Sequence, residues 1–171
     1  MPTVLCDSGP LIVLAKVNRL RLLLDLWENA QVTEEVYKEA VVLGYELGAP
    51  DALTIRLFWQ KHKLPILAVP ESVLIAYQPA IKLDPGERST FAQALTLKDG
   101  LVLVDDEDAR TEGRRLGLPV RGTIGVLVEA YRRGLLTLPE IELLFSELSA
   151  RPDIWISANL CARVLKSLRS E

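Results

Sequence analysis

Two acidic sites follow directly after short apolar runs of the chain. Asp7 comes after residues 3–6, and the pair Asp105-Asp106 comes after residues 101–104. Apolar runs of this length predict buried strands. In an open parallel sheet, ligands bind beyond the carboxyl ends of the strands. If the two strands run in the same direction, these carboxylates therefore share one edge of the sheet.

Helical geometry places Glu39 near the same edge. A second short strand is predicted at Gln31-Val32, and Thr33 is suited to cap the helix that follows it. At about 100° per residue, Glu39 borders the apolar stripe of this helix, whereas Glu35 lies further round toward solvent. The stripe consists of Val36, Ala40, Leu43 and Leu47. A carboxylate beside a core-facing stripe requires a reason, because burying it unpaired is costly.

Glu87 lies in the first turn of another predicted helix, which Asp84-Pro85 opens and which extends to about Leu97. The inward face of this helix is predicted to consist of Phe91, Ala94 and Leu95. Glu87 lies near the middle of that face, so we expect its carboxylate to face the end of the sheet.

A convergence of these carboxylates predicts a site for a divalent cation. The candidate ligands are Asp7, Glu39, Glu87, Asp105 and Asp106. Carboxylates held together repel one another and have raised pKa values, which opposes folding unless a cation relieves the repulsion. Oxygen ligands with retained water suit Mg²⁺ or Mn²⁺. One or two such ions activate water and stabilise the charge that develops on a phosphodiester, without a serine, cysteine or histidine nucleophile.

Local roles also explain each acid singly. Asp84 and Glu87 fit a capping box, and residues 105–108 suit the positive end of a helix. Asp7 followed by Ser8 fits a capping pair. Taken together these explanations are weaker, because every one of the sites meets the same predicted edge.

Composition restricts the class of protein. The chain has 171 residues, a formal net charge of −3 and a mean hydropathy of +0.20, which fit one folded domain and argue against a general nucleic-acid binder. No apolar run has the ~20 residues of a membrane span, and no signal peptide is visible, so we expect a cytoplasmic protein. Two unpaired cysteines and one histidine, His62, are too few for a zinc site.

Strands that alternate with helices predict an α/β fold, a three-layer α/β/α sandwich around a mainly parallel sheet. No repeat, low-complexity tract or linker interrupts the chain. We therefore expect a single domain over residues 1–171, with a core over about 3–135 and a C-terminal helical extension over about 139–171.

Five segments occur in the order found in one family of nucleases. They are VLCDSGPLIVLA (4–15), VTEEVYKE (32–39), LDPGERSTFAQAL (83–95), LVLVDDEDAR (101–110) and GTIGVL (122–127). On these motifs the sequence resembles the PIN-domain family. The resemblance is closest to the branch long treated as a domain of unknown function and often grouped with VapC-like toxins.

The resemblance implies a Rossmann-like α/β/α fold and a ribonuclease that depends on Mg²⁺ or Mn²⁺. Carried over position by position, the first-strand acid is Asp7, the helix acid is Glu39 and the acid of the Gly-Glu pair is Glu87. The last acid falls in Asp105-Asp106. Many relatives have a threonine or serine two positions before this aspartate, where Val104 precedes Asp106, so the alignment of the pair stays open.

Further expectations concern supporting residues and partners. The supporting positions are Ser8, Asp108, Arg110 and Thr123, with Arg110, Arg114 and Arg115 as candidate phosphate contacts. Ser8 would orient Asp7 or a metal-bound water, although helix capping alone explains Thr123. The resemblance implies an RNA substrate, a small antitoxin protein as partner and a homodimer. An apolar C-terminal helix with Leu160, Val164 and Leu168 offers one surface for such a partner.

Two other functions stay open at this point. The same fold could serve as a non-catalytic regulatory module that binds nucleic acid or a partner, with the acidic pocket accepting a partner's arginine. A phosphoacceptor domain also places adjacent aspartates after a strand, but it requires a lysine near them. Lys98 lies at the opposite end of the strand from Asp105.

Overall fold

Five short strands form one parallel sheet in the spatial order β3-β2-β1-β4-β5. The computed structural model describes residues 1–171. The strands are β1 (Thr3–Cys6), β2 (Asn29–Thr33), β3 (Ile66–Leu67), β4 (Gly100–Leu103) and β5 (Val120–Arg121). β1 is central and pairs in parallel with both β2 and β4. Cys6 is in register with Leu103, so Asp7 and the residues after β4 emerge at the same edge, as predicted.

Helices connect the strands within a first compact unit, residues 1–123. They are α1 (Ser8–Lys16), α2 (Leu22–Leu26), α3 (Glu34–Tyr37), a π-helical segment (Lys38–Leu43), α4 (Gly44–Glu46), α5 (Pro50–His62), α6 (Glu71–Ala76), α7 (Pro85–Ala94) and α8 (Glu107–Arg115). The predicted strands and most predicted helices are confirmed with small changes of boundary. α6 lies in a segment for which the sequence pattern gives no clear prediction.

Both faces of the central strands are buried. Leu5 and Val102 lie on one face, in a core cluster with Phe91 of α7 and Ala109 of α8. The residues that point to the opposite face, such as Cys6, are also fully buried. A parallel sheet buried on both faces needs a helical layer on each. The α/β/α sandwich is therefore confirmed.

The π-helical segment changes the face that the second long helical stretch buries. Hydrogen bonds from residue i to i+5 widen the turn and shift every later side chain around the axis. The predicted stripe is wrong beyond Ala40, because Val41 is buried in its place and Leu43 and Leu47 are 43% and 86% exposed. Leu95, predicted to face inward on α7, is also exposed.

The second compact unit comprises residues 124–171. It contains α9 (Thr123–Arg132), whose first residue belongs to the first unit, α10 (Leu138–Ala150) and α11 (Ala158–Leu168). Thr137 caps α10 in a capping box with Glu140. Leu168, expected on a partner-facing surface of α11, is instead only 3% exposed. None of the helices in the chain has the length and apolar character to cross a membrane.

Candidate functional site

Asp7 is a buried carboxylate that lacks a full set of partners. It precedes α1 at the end of β1 and is 6% exposed, and its Oδ1 has no hydrogen-bond partner. Burial raises the pKa of Asp7 well above its ordinary value, and repulsion from Asp84, Glu87 and Glu39 adds to the rise. The backbone N–H of Ser8 opposes this rise in part. Asp7 makes no capping hydrogen bond, so capping does not explain this carboxylate.

Glu39 approaches the start of α7 from the π-helical segment. A Cβ placed on Gly86 would come 2.9 Å from Glu39 Oε2 and 3.4 Å from Asp84 Oδ1. Desolvation raises the pKa of Glu39, and repulsion from Asp84 raises it further, whereas a hydrogen bond with the Ser8 side chain lowers it. Ser8, predicted to orient Asp7 or a water, therefore contacts Glu39. Glycine at position 86 leaves the space for this approach.

Asp84 and Glu87 form the capping box that the sequence predicts, and they also belong to the acidic group. Asp84 Oδ1 accepts from the Glu87 N–H at 2.7 Å, and Glu87 Oε2 accepts from the Asp84 N–H at 3.1 Å. Burial raises the pKa of Glu87, and repulsion from Asp84, Asp106 and Glu39 adds to it. The sequence analysis assigned Asp84 only a capping role. Its position three residues before Glu87 is the signal that could have added it to the candidates.

A chain of buried hydroxyls holds α3 against α7. Thr33 Oγ1 accepts from the Val36 N–H, and it lies 2.7 Å from Ser89 Oγ. Ser89 Oγ in turn donates to the Gly86 carbonyl at 2.9 Å. Because Thr33 and Ser89 are both fully buried, each hydroxyl needs these partners. The chain fixes the helix that precedes Glu39 relative to the turn that carries Asp84 and Glu87.

Asp105 and Asp106 separate into different roles. Asp105 Oδ1 accepts from the Thr123 N–H at 2.6 Å, and Asp105 Oδ2 accepts from the Thr123 hydroxyl at 2.7 Å. Burial raises the pKa of Asp105, while these two bonds and the nearby charge of Arg110 lower it. Asp106 is exposed and caps α8 through the Ala109 N–H at 2.8 Å. Asp105 is therefore engaged by Thr123, and Asp106 is the member of the pair whose charge reaches Glu87.

The predicted supporting residues have mixed surroundings. Arg110 forms an ion pair with Glu107, and its Nε is buried without a partner. Arg114 also pairs with Glu107, at 2.7 Å. Asp108 is exposed in the first turn of α8, where the structure shows no contact to the acidic group. Arg115 binds the buried carboxylate of Glu112, so it is not a free cation for phosphate.

The structure brings Asp7, Glu39, Asp84 and Glu87 within electrostatic reach of one another, with Asp106 acting on Glu87. In this conformation no three His, Cys, Asp or Glu side chains lie close enough together to hold a metal ion, so the predicted ligand cluster is not closed. The donor set nevertheless fits a hard cation, because it offers only carboxylate oxygens. The unpartnered Oδ1 of Asp7 also fits this interpretation, since such an atom requires a partner.

Comparison with known proteins assigns the family. No curated protein matches the chain. The family model described as "DUF3368: PIN domain" matches residues 3–170, which is nearly the whole chain. This match agrees with the parallel sheet and with the order of the five sequence motifs. The chain therefore belongs to the PIN-domain family, whose fold is a nuclease fold.

Proposed function

We propose that this protein is a metal-dependent endoribonuclease that hydrolyses RNA phosphodiesters with Mg²⁺ or Mn²⁺. The observation that carries the proposal is Asp7, a buried carboxylate with an unpartnered oxygen and three further acids acting on it. A fold rarely keeps such an arrangement for stability, because burial and repulsion both oppose the ionised form.

Asp7, Glu39 and Glu87 would hold the cation, with Asp84 and Asp106 within electrostatic reach of the group. When bound, the ion activates a water molecule and stabilises the charge that develops on the phosphodiester. Small side-chain rotations of the exposed Glu39 are the adjustment that closing the ligand group requires.

Other side chains of the chain position this group. The Ser8 hydroxyl bonds Glu39, which restrains its carboxylate. Asp105 bonds both the backbone and the hydroxyl of Thr123, so it fixes the connection between β5 and α9 beside the acidic edge. Arg110, near Asp105, is the closest candidate cation for a substrate phosphate.

The resemblance to VapC-like relatives supports RNA as the substrate and a role as the toxin component of a toxin–antitoxin pair, restrained by a small antitoxin protein. Under this proposal, expression of the chain alone arrests growth, and the Asp7→Asn variant at equal abundance does not. Normal growth with abundant, folded wild-type protein would remove the toxin assignment without touching the nuclease assignment.

The direct test is cleavage of a mixed RNA pool by the purified protein with Mg²⁺, with Mn²⁺ and with EDTA. We expect cleavage only with metal and a loss of about 10³-fold or more in Asp7→Asn, as for removal of a group central to catalysis. The matched control is Asp99→Asn, because Asp99 is exposed and precedes β4, at the opposite edge of the sheet. Equal cleavage by wild type and Asp7→Asn would overturn the proposal.

A second candidate is a non-catalytic regulatory module that binds nucleic acid or a partner. It is favoured by one observation, the absence of a closed group of three ligands together with the full engagement of Asp105 by Thr123. In that case the acidic group would accept a partner's arginine. Folded protein that binds RNA or a partner, yet cleaves no RNA with either metal after removal of any co-purified inhibitor, would support this candidate.

A further inference from the structure

Exposed apolar side chains are concentrated on one helical hairpin, far more than elsewhere on the chain. Six of the fourteen exposed large hydrophobic residues lie within residues 42–57. They are Val42, Leu43, Tyr45, Leu47, Leu53 and Leu57, and we call them the hairpin patch. Leu47 is 86% exposed and Leu57 is 56% exposed. A contiguous apolar surface of this kind indicates an interaction site, whereas single exposed residues do not.

The hairpin is rigid, and it contains a groove. It runs from the π-helical segment through α4 and turns at Gly48 into α5. A Cβ on Gly44 would lie 3.0 Å from Ala52 Cβ, so the two arms pack closely at this point. A groove of about 450 Å³ lies between them, and its walls include Tyr37, Val41, Tyr45, Glu46, Arg56 and Gln60.

The groove contains one acid and one base that are not used within the chain. Glu46 on α4 and Arg56 on α5 line the same groove, and neither makes a hydrogen bond or an ion pair in the structure. Both are exposed. Opposite charges that flank an apolar surface and remain unpaired are complementary to a surface with the same pattern reversed.

This pattern favours a second copy of the chain as the occupant. In a two-fold symmetric interface the same patch meets itself, so Glu46 of one copy faces Arg56 of the other and the reverse contact forms as well. RNA is disfavoured at this surface, because a nucleic-acid site carries clustered cations and the groove has only Arg56.

We infer that the hairpin patch and its groove form an isologous interface between two copies of this chain, closed by reciprocal Glu46–Arg56 ion pairs. Leu53 and Leu57, four residues apart on α5, supply its apolar centre. The interface lies on the helical stretch that also carries Glu39, so association braces the segment that presents this acid. The inference does not rest on the proposed nuclease activity.

The test is the mass of the full chain in solution, measured by sedimentation equilibrium over a range of concentrations. We expect a dimer of twice 19.0 kDa. Leu53→Glu with Leu57→Glu places two charges in the centre of the interface and raises the dissociation constant by about 100-fold or more. Leu143→Glu is the matched control, because Leu143 is 71% exposed on α10, outside the patch, and should leave the dimer intact. Far-UV circular dichroism checks that each variant is folded.

The charge pair gives a second, sharper test. Glu46→Arg alone and Arg56→Glu alone each set like charges against each other twice in the dimer and weaken it by about tenfold or more. The double variant Glu46→Arg, Arg56→Glu restores opposite charges and should recover wild-type association. A wild-type chain that stays monomeric at every concentration overturns the inference. So does a dimer that survives the two leucine substitutions, or a double variant that is as weak as the single ones.

Discussion

The first unit of the molecule buries two carboxylates in opposite ways. Asp7 is 6% exposed, its Oδ1 has no partner, and burial together with neighbouring acids raises its pKa. Glu112 on α8 is 2% exposed, and a bidentate ion pair with Arg115 at 2.7 Å is the first cause that lowers its pKa to about 2.

Glu112 is satisfied on every side. Besides Arg115, it accepts from the Tyr77 hydroxyl at 2.9 Å and from the Ala80 N–H at 3.1 Å. The same contact raises the pKa of Tyr77, after burial as the first cause. Glu112 thus fastens the segment that leads from α6 toward Asp84.

The comparison shows that burial of an acid does not by itself indicate function. Both residues are buried and both lie near ends of helices, but only Asp7 lacks partners and has other acids close to it. An incomplete set of partners marks a place that a ligand can complete, whereas a complete set marks a structural connection.

The largest expected effect contrasts neutral isosteres at the two positions. Glu112→Gln should lower the free energy of unfolding by about 2–3 kcal/mol, because it removes a buried charge from bonded donors. Asp7→Asn should raise it by about 1 kcal/mol in EDTA, because it removes a carboxylate whose charged form is disfavoured. Urea unfolding at neutral pH measures both. Changes of the same sign at the two positions would break the comparison.

A smaller effect is expected from adding one methyl group beside each acid. A Cβ at Gly113, next to Glu112, would overlap Val120 Cγ1 and lie 3.0 Å from Phe91, so Gly113→Ala should cost about 1–3 kcal/mol of stability. A Cβ at Gly86 meets only the flexible end of Glu39, so Gly86→Ala should leave stability nearly unchanged and reduce metal-dependent cleavage. Thermal melts and RNA cleavage separate the two outcomes. A strongly destabilised Gly86→Ala would show that this glycine is structural.

The smallest effect sharpens the comparison through pH. The pKa of Glu112 is lowered from 4.5 to about 2 in the folded state, so its contribution to stability is fully present above pH 4.5 and is lost as pH falls toward 2. The difference in stability between wild type and Glu112→Gln should therefore shrink over that range. Urea unfolding at a series of acidic pH values measures this difference. A difference that stays constant across the range would mean that the charge of Glu112 does not hold this network.

The sequence predicts the fold well where the signals are local. Apolar runs followed by acids predict β1 and β4, and the series from Asp84 to Glu87 predicts a capping box that the structure contains. These features depend on backbone hydrogen bonds and on side chains within a few residues, which a single chain pattern contains.

The patterns fail where distant segments decide. The stripe through Leu43 and Leu47 is wrong because the π-helical segment rotates the helix, and no local residue pattern announces that shift. The engagement of Asp105 by Thr123 joins residues 18 positions apart, and the contact between Thr33 and Ser89 joins residues 56 apart.

The amino-acid sequence by itself determined that the acids leave their strands and helices at one edge of a parallel sheet, because strand direction and helical period are properties of local backbone geometry. Only the tertiary structure decided which acids remain without partners. Asp7 and Glu112 have the same chemistry in the sequence, and their difference arises from the donors that other segments bring to them: Arg115, Tyr77 and Ala80 for Glu112, and further carboxylates for Asp7.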